Sequence, residues 1–282
     1  MLCSRLTPSG NAGKKSRIRK LVSLRERARW ALNTAVKIRE INSKTILSSS
    51  QVYDYVVNPY VGCQHGCAYC YARFMKRFTG HKEPWGDFVD VKINAPDLLS
   101  KEIKKKKRGT VWVSGVCDPY QPLEAKYKLT RRCLEILVQN SWPVFIQTRS
   151  PLVLRDLDIL KQAKDLEAGL SITTANDEIR KIFEPDAPPI MERVRAVESL
   201  HRNGVRTYVM IAPILPEAER LVGILAGKVD YIIIDRMNYH HADRIYNRYG
   251  WNDRNTDEYF AIIGGKIADE CRELGIEFRS VY

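Results

Sequence analysis

Residues 144–173 read VFIQTRSPLVLRDLDILKQAKDLEAGLSIT. The stretch opens on Val144–Thr148, a β-branched and aromatic run of the kind that suits a pleated surface. Ser150-Pro151 then breaks the pattern, because a polar residue before proline favours a turn. Leu152–Lys164 spaces apolar residues among charges at helical intervals and predicts a helix. Ala168–Thr173 returns to a short strand-like run. A strand, a helix and a strand in so short a span form a crossover unit, and strands joined that way lie parallel. The rhythm continues on both sides. Further strands are predicted at Tyr53–Val57, Thr110–Gly115, Thr207–Ala212, Tyr231–Asp235 and Glu277–Val281. Helices are predicted at Tyr69–Phe78, Pro96–Lys104, Thr130–Asn140, Ile190–Asn203, Glu217–Leu225 and Thr256–Leu274. The fold class is therefore α/β, a partial or full (β/α) barrel, with a doubly wound open sheet as the competing architecture.

In either architecture the reactive groups lie in the loops after the strands. The unusual residues fall there: Asn58-Pro59 and a cysteine cluster, Gly115–Asp118, Thr148–Pro151, Ser171–Asn176 and Asp235–Asn238. One pocket fed by several strand ends is the expectation.

The 282 residues hold 46 Lys+Arg and 33 Asp+Glu, a net charge of +13, and 44% are hydrophobic. That composition excludes a disordered chain. No apolar run is long enough to span a membrane. The start, MLCSRLTPSGNAGKKSRIRK, lacks the apolar stretch of a secretory signal, so a cytoplasmic location is expected. Residues 1–50 hold twelve Lys/Arg against Glu26 and Glu40, so most of the net charge lies there. Two regions follow. Residues 1–47 form a basic N-terminal arm, flexible over 1–20 and helical over 21–40, and residues 48–282 form the barrel domain. A second basic run is Lys104-Lys105-Lys106-Lys107-Arg108. Clustered cations displace phosphate counterions, so DNA or RNA contact through 1–50 and 104–108 is one reading; a solvated surface is the other.

Seven cysteines are present, and three stand in Cys63-Gln64-His65-Gly66-Cys67-Ala68-Tyr69-Cys70. The spacing C-x3-C-x2-C, on a loop entering a predicted helix, allows three thiolates to surround one soft metal centre. Thiolates suit iron–sulfur clusters and zinc, though a structural zinc site needs a fourth protein ligand. A four-iron cube held by three cysteines keeps one iron open for a substrate or cofactor. Three inert buried cysteines are the remaining alternative. Cys133 and Cys271 fall on apolar helix faces and are expected in the core, whereas Cys3 lies in the arm. His240-His241 reads as a surface loop, His65 as a loop residue, and Gly264-Gly265 lacks the residues of a phosphate loop. Met237-Asn238-Tyr239 is placed to floor the pocket.

The cysteine motif with Tyr69 before its third ligand resembles the radical S-adenosylmethionine (SAM) superfamily. Asn58–Cys63, Cys67–Arg73, Asp118–Glu124, Leu129–Arg131, Thr148–Asp156 and Leu170–Thr174 are similar to its spore photoproduct lyase-related branch, also labelled "DNA repair photolyase". The resemblance runs from about Ser48 to Tyr239. It implies a radical SAM type barrel in which Cys63, Cys67 and Cys70 hold a [4Fe–4S] cluster whose open iron binds SAM. Reductive cleavage of SAM would release a 5′-deoxyadenosyl radical that abstracts a substrate hydrogen. The resemblance places Tyr69, Ser114, Asp118, Arg149 and Ser171 against SAM. Arg149 stands where the lyase has a lysine near the SAM carboxylate. Tyr71 matches a tyrosine implicated in hydrogen return. Cys117 departs from the Thr or Ser expected before the Asp, and as a thiol near the pocket could donate hydrogen to a product radical. Small core packing is its alternative reading.

The implied function is radical SAM chemistry on nucleic acid, with a low-potential ferredoxin or flavodoxin as electron donor. The chain stops at Tyr282, soon after the last predicted strand, whereas the lyase carries further C-terminal elements that grip damaged DNA. Modification of RNA, protein or a small molecule is the alternative within the same chemistry. A non-enzymatic iron–sulfur binding or sensor protein is the alternative outside it.

Overall fold

Aliphatic side chains recur at every second strand position, and that period builds the main sheet. The computed structural model describes residues 36–282. Its strands are β1 (Lys37–Ile41), β2 (Leu47–Ser49), β3 (Tyr55–Val57), β4 (Tyr60–Val61), β5 (Phe88–Lys92), β6 (Val111–Val113), β7 (Val144–Thr148), β8 (Leu166–Ser171), β9 (Arg206–Ile211), β10 (Tyr231–Ile234) and β11 (Glu277–Ser280). The main sheet has the order β11-β10-β9-β8-β7-β6-β3-β2. Every neighbouring pair from β3 to β11 is parallel, and β2 alone pairs antiparallel, on β3. The order ends on two different strands, β11 and β2, so the sheet is a partial (β/α) barrel. All seven strands predicted for this sheet are present, Val144–Thr148 with the same ends and the others with ends moved by at most two residues.

The two faces of the sheet have different jobs. Val111, Val113, Val144, Ile146, Ala168, Leu170, Val209, Ile211, Ile232 and Ile234 share one buried core with Leu134, Leu137, Val194, Val197, Leu200, Ile263 and Ile267 from the covering helices. Cys133 and Cys271 belong to that core, as expected. The opposite face carries Trp112, Phe145, Tyr208 and Tyr231, which with Tyr53 form a separate cluster. Phe145 stacks on Tyr208 at 4.7 Å, and Tyr208 on Tyr231 at 5.3 Å. Helices therefore cover the aliphatic face alone, which distinguishes this sheet from a doubly wound one.

Corrections concern the edges. Lys37–Ile41, read from sequence as the end of a helix, is a strand that pairs parallel with β5. With β4 it forms a second sheet, β1-β5-β4, so the compact unit begins at Val36 rather than at 48. Tertiary pairing overrides helix propensity here: Arg39 forks onto Asp90 at 2.7 and 2.8 Å, Asp90 meets His81 at 2.8 Å, and Lys37 meets Glu83 at 2.9 Å. Residues 1–35, with Cys3 and the expected flexible stretch and most of the helix, lie outside the described residues. Leu152–Lys164 is a 3-10 helix, Pro151–Asp156, followed by the single α-turn Leu157–Leu160. Asp156 is turned inward there and meets Arg155 at 2.7 Å and Arg131 at 3.0 Å. Helices at Asp177–Phe183 and Asp243–Tyr249 were not read from the sequence.

Gly169 lies under the Tyr208 ring, which occupies the place a Cβ would take. The ring cannot move aside, because Tyr208 is fully buried and its hydroxyl donates to the Ile146 carbonyl at 2.9 Å. Gly169→Ala is expected to cost about 1–3 kcal/mol of unfolding free energy by overpacking, read as a lower urea midpoint.

Candidate active site

The loops that follow the strands meet over the aromatic face and border an open cavity. Cys63, Cys67, Cys70, Tyr69, Tyr71, Ser114, Cys117, Asp118 and Arg149 all line it, as do Met237, Asn238 and Tyr239. Ser171 lies behind the wall. It is fully buried, its hydroxyl accepts from Gln147 Nε2 at 3.1 Å, and Gln147 is the residue that reaches the cavity.

Local rules shape the cysteine loop. Gly62, at φ 92°, turns the chain out of β4 against the Phe88 carbonyl, where any Cβ would collide. Only glycine adopts that conformation without strain. Arg73 bonds the carbonyls of Cys67, Ala68 and Cys70 and draws the loop around its guanidinium. Cys70 is extended (φ −58°, ψ 118°), and the 3-10 helix Tyr71–Phe78 begins after it. The predicted helix start at Tyr69 is therefore two residues early, and Cys67 and Cys70 sit in a turn.

All three cysteines are free. Burial pushes the Cys67 thiol up to about 12, against the pull of Arg149, and raises Cys63 and Cys70 as well. Thiols so placed become thiolates when a metal cation supplies the compensating charge. Three soft donors line the cavity, a donor set that suits an iron–sulfur centre, while among the described residues no three side chains are grouped to hold a single metal ion.

Asp118 is a hub that joins the loop after β6 to the end of β7 and to the cysteine loop. Oδ1 accepts from the Thr148 hydroxyl at 2.6 Å and the Tyr120 amide at 2.9 Å. Oδ2 accepts from the Arg149 amide at 2.7 Å and lies 3.2 Å from His65 Nε2. Burial alone would raise this carboxyl, but His65, Thr148 and Arg149 overcome it and hold it at about 2. His65, expected in a plain loop, is thus buried against the site. Ser114 Oγ donates to Asn58 Oδ1 at 2.7 Å and lies 3.0 Å from Cys117 Sγ. Asn58 Oδ1 also accepts the amides of Gly115 and Val116 at 2.9 and 3.0 Å, so one side chain sets the loop after β6.

Sequence reasoning missed Glu184. It is fully buried, with Arg193 at 2.6 Å, Arg149 Nε at 3.4 Å, the Thr173 hydroxyl at 2.9 Å and the Tyr69 hydroxyl all on its carboxylate. Arg149 Nη2 also donates to the Tyr69 oxygen at 3.0 Å. The Arg149 cation is thereby fixed beside the cysteines. Its only sequence signal was a turn, Glu184-Pro185, after a short helix that was itself not read.

The basic elements are distributed otherwise than the sequence suggested. Lys37 and Arg39 are paired with Glu83 and Asp90. Lys104–Arg108 precedes β6 and so stands at the end of the sheet opposite the cavity. His240 is exposed and pairs with Asp243 at 3.0 Å. Among the described residues, no helix is long and apolar enough to cross a membrane.

An open parallel sheet with three free cysteines lining a cavity is a setting in which a metal cluster can be held. Comparison with known proteins gives the family: the sequence profile of the radical SAM superfamily matches residues 57–222. An uncharacterized protein of Methanocaldococcus jannaschii is 34% identical over 242 residues, 84% of this chain and 90% of that one. A protein of Pseudomonas phage M6 named radical SAM Nalpha-GlyT isomerase is 26% identical over 163 residues, 57% of this chain and 33% of its own. Among solved structures, spore photoproduct lyase complexed with dinucleoside spore photoproduct superposes with a TM-score of 0.68 over 89% of this chain and 83% of the lyase. At 15% identity that likeness is one of fold. The chain belongs to the radical SAM superfamily. Membership makes it an enzyme that uses SAM and an iron–sulfur cluster and needs an electron donor.

Burial would raise the Glu184 carboxyl, but Arg193, Arg149 and Tyr69 bring it from 4.5 to about 2. A depressed carboxyl stabilises the fold fully above its ordinary pKa, and that contribution is lost as pH falls from 4.5 towards 2. Glu184→Gln is expected to cost about 3–5 kcal/mol at neutral pH by stranding Arg193, and to flatten the acid limb of an unfolding titration.

Proposed function

We propose that this enzyme cleaves SAM reductively at a [4Fe–4S] cluster held by Cys63, Cys67 and Cys70, and acts on a nucleobase in nucleic acid. The observation that carries the reading is the single cavity bordered by these cysteines, by Arg149 and by Tyr71 and Cys117. When bound, the cluster and SAM supply an electron and a 5′-deoxyadenosyl radical that abstracts hydrogen.

The chain's own residues orient and shield that chemistry. Arg149, locked by Glu184 and Tyr69, offers a cation to the SAM carboxylate in charge-assisted hydrogen bonds. The Ser114 hydroxyl, turned by Asn58, holds the amino end. Asp118 has both oxygens engaged by protein donors, so it acts as a positioning residue for Arg149 rather than as a ligand. Ser171 acts one layer further back, through Gln147. Burial pushes Cys117 up to about 11, against the pull of the Ser114 hydroxyl, so at neutral pH its Sγ keeps its hydrogen. A thiol in that state would give its hydrogen atom to a product radical and become a thiyl radical. Tyr71, whose hydroxyl donates to the Gly115 carbonyl, would restore the thiol with its phenolic hydrogen and recover one from 5′-deoxyadenosine.

The nucleic-acid substrate is supported by one likeness, a lyase of the same fold bound to a dinucleoside. The phage relative named an isomerase makes isomerisation as admissible as lyase chemistry. Ferredoxin or flavodoxin is the proposed donor. A polyanion contact through Lys104–Arg108 would lie away from the cavity and serve flanking backbone.

Anaerobically reconstituted, dithionite-reduced protein given SAM and DNA or RNA is expected to form 5′-deoxyadenosine, seen by chromatography, and Cys67→Ala to form none. Arg149→Ala should weaken SAM binding by about 10–100-fold, since a hydrogen bond to a charged group is worth roughly 1.5–3 kcal/mol. No product from protein with a full, reduced cluster, with or without oligonucleotide, would favour the non-enzymatic iron–sulfur reading.

A further inference from the structure

At the cavity mouth the 3-10 helix Tyr71–Phe78 shows its rings to solvent. Tyr71 is 39% exposed, Phe74 42% and Phe78 66%. Exposed phenylalanines grouped beside a cavity mark a binding surface rather than chance. The rings continue across the mouth: Tyr71 stacks on Tyr239 (6.1 Å, 19°), and Tyr239 on His241 (5.7 Å, 6°). Tyr71 and Tyr239 also line the cavity, so the stack leads from solvent to the interior. The two elements adjoin through this Tyr71–Tyr239 contact.

The helix carries charge of one sign, whereas the facing element has Asp243, which is paired with His240. Residues 71–78 include Arg73, Lys76 and Arg77 and no acid. The Arg77 guanidinium lies over the Phe78 ring at 4.6 Å and the Phe74 ring at 5.6 Å. Among the described residues Arg77 has no carboxylate partner. The surface therefore suits an occupant that is both flat and anionic. Parallel rings with interleaved cations are how proteins hold unpaired bases and their phosphates.

We infer that Tyr71–Phe78 and Tyr239–His241 form a stacking rim that seats single-stranded nucleic acid, so that the reacting base enters the cavity from an unpaired strand. This deepens the nucleic-acid reading and rests on it. A duplex hides the faces of its bases and cannot deliver one past Tyr71 unless it is opened. Phosphates flanking the base meet Arg77 and Lys76, while the base continues the ring stack.

The test uses reconstituted holoprotein under anaerobic conditions and fluorescence anisotropy of short labelled DNA and RNA, single-stranded and duplex, at several salt concentrations. Single strands are expected to bind at least tenfold more tightly than the matching duplex. Phe74→Ala/Phe78→Ala should weaken single-strand binding on the order of tenfold or more, as loss of stacking does. Arg77→Ala should reduce the salt slope by about 0.7, the value for one phosphate contact on a single strand. Thermal melting of each variant checks that the fold persists. Wild-type affinity in the double variant, equal or tighter duplex binding, or preference for phosphatidylserine vesicles over oligonucleotide would overturn the rim. If oligonucleotides bind and stimulate 5′-deoxyadenosine formation equally in wild type and variant, the rim fails while the nucleic-acid reading stands. If wild type binds no oligonucleotide even at low salt, both fail.

Discussion

A carboxylate with no access to water holds this site together. Glu184 and Arg193 face each other at 2.6 Å, both fully buried. Such a pair survives because each charge would be far more costly alone. The pair also fixes distant elements. Arg193 belongs to the helix Ile190–Arg202 and bonds the Ser171 carbonyl at the end of β8. Thr173 comes from the loop beyond β8, Arg149 from the end of β7, and Tyr69 from the cysteine loop. One buried anion therefore sets the distance between the proposed cluster ligands and the cation proposed to meet SAM.

The sheet supplies the second constraint. Its aliphatic face is bound to the helices, so the loops after the strands can only gather over the other face. That face is filled low down by the stacked rings of Phe145, Tyr208 and Tyr231, with Tyr53 and Trp112 tilted against them, and open above. The cavity is what remains, and Trp112 and Met210 line it from the strands. Chemistry by a carbon radical requires a place from which water and stray hydrogen donors are kept, and a floor of packed rings with a walled mouth is suited to that.

What could be read in the sequence was what depends on local pattern. The parallel strands declare themselves through valine and isoleucine at alternate positions, and the cysteine loop through spacing alone. Cys63, Cys67, Cys70, Tyr69, Tyr71, Ser114, Cys117, Asp118 and Arg149 do converge on one cavity. What was lost depends on partners far along the chain. Lys37–Ile41 looks helical until β5 is beside it, and β5 itself carries Asp90, a poor strand residue made tolerable by Arg39 and His81. Glu184 sits in an ordinary-looking acidic turn, and nothing local marks it as a core residue. Ser171 had the right neighbourhood but the wrong depth, since a residue at a strand end faces either the cavity or the packing behind it.

The loop Asp235–Tyr239 has few ties to the rest of the mouth. Asn238 bonds back to Asp235, Arg236 reaches Asp257, and Tyr239 leans on Tyr71. None of these touches the buried anion or the Asp118 hub. Lineages could therefore lengthen or rewrite this loop while the machinery for SAM stays as it is. Divergence of substrate among proteins sharing this barrel would then be an inheritance of architecture, in which the radical source is conserved and the doorway is free to vary.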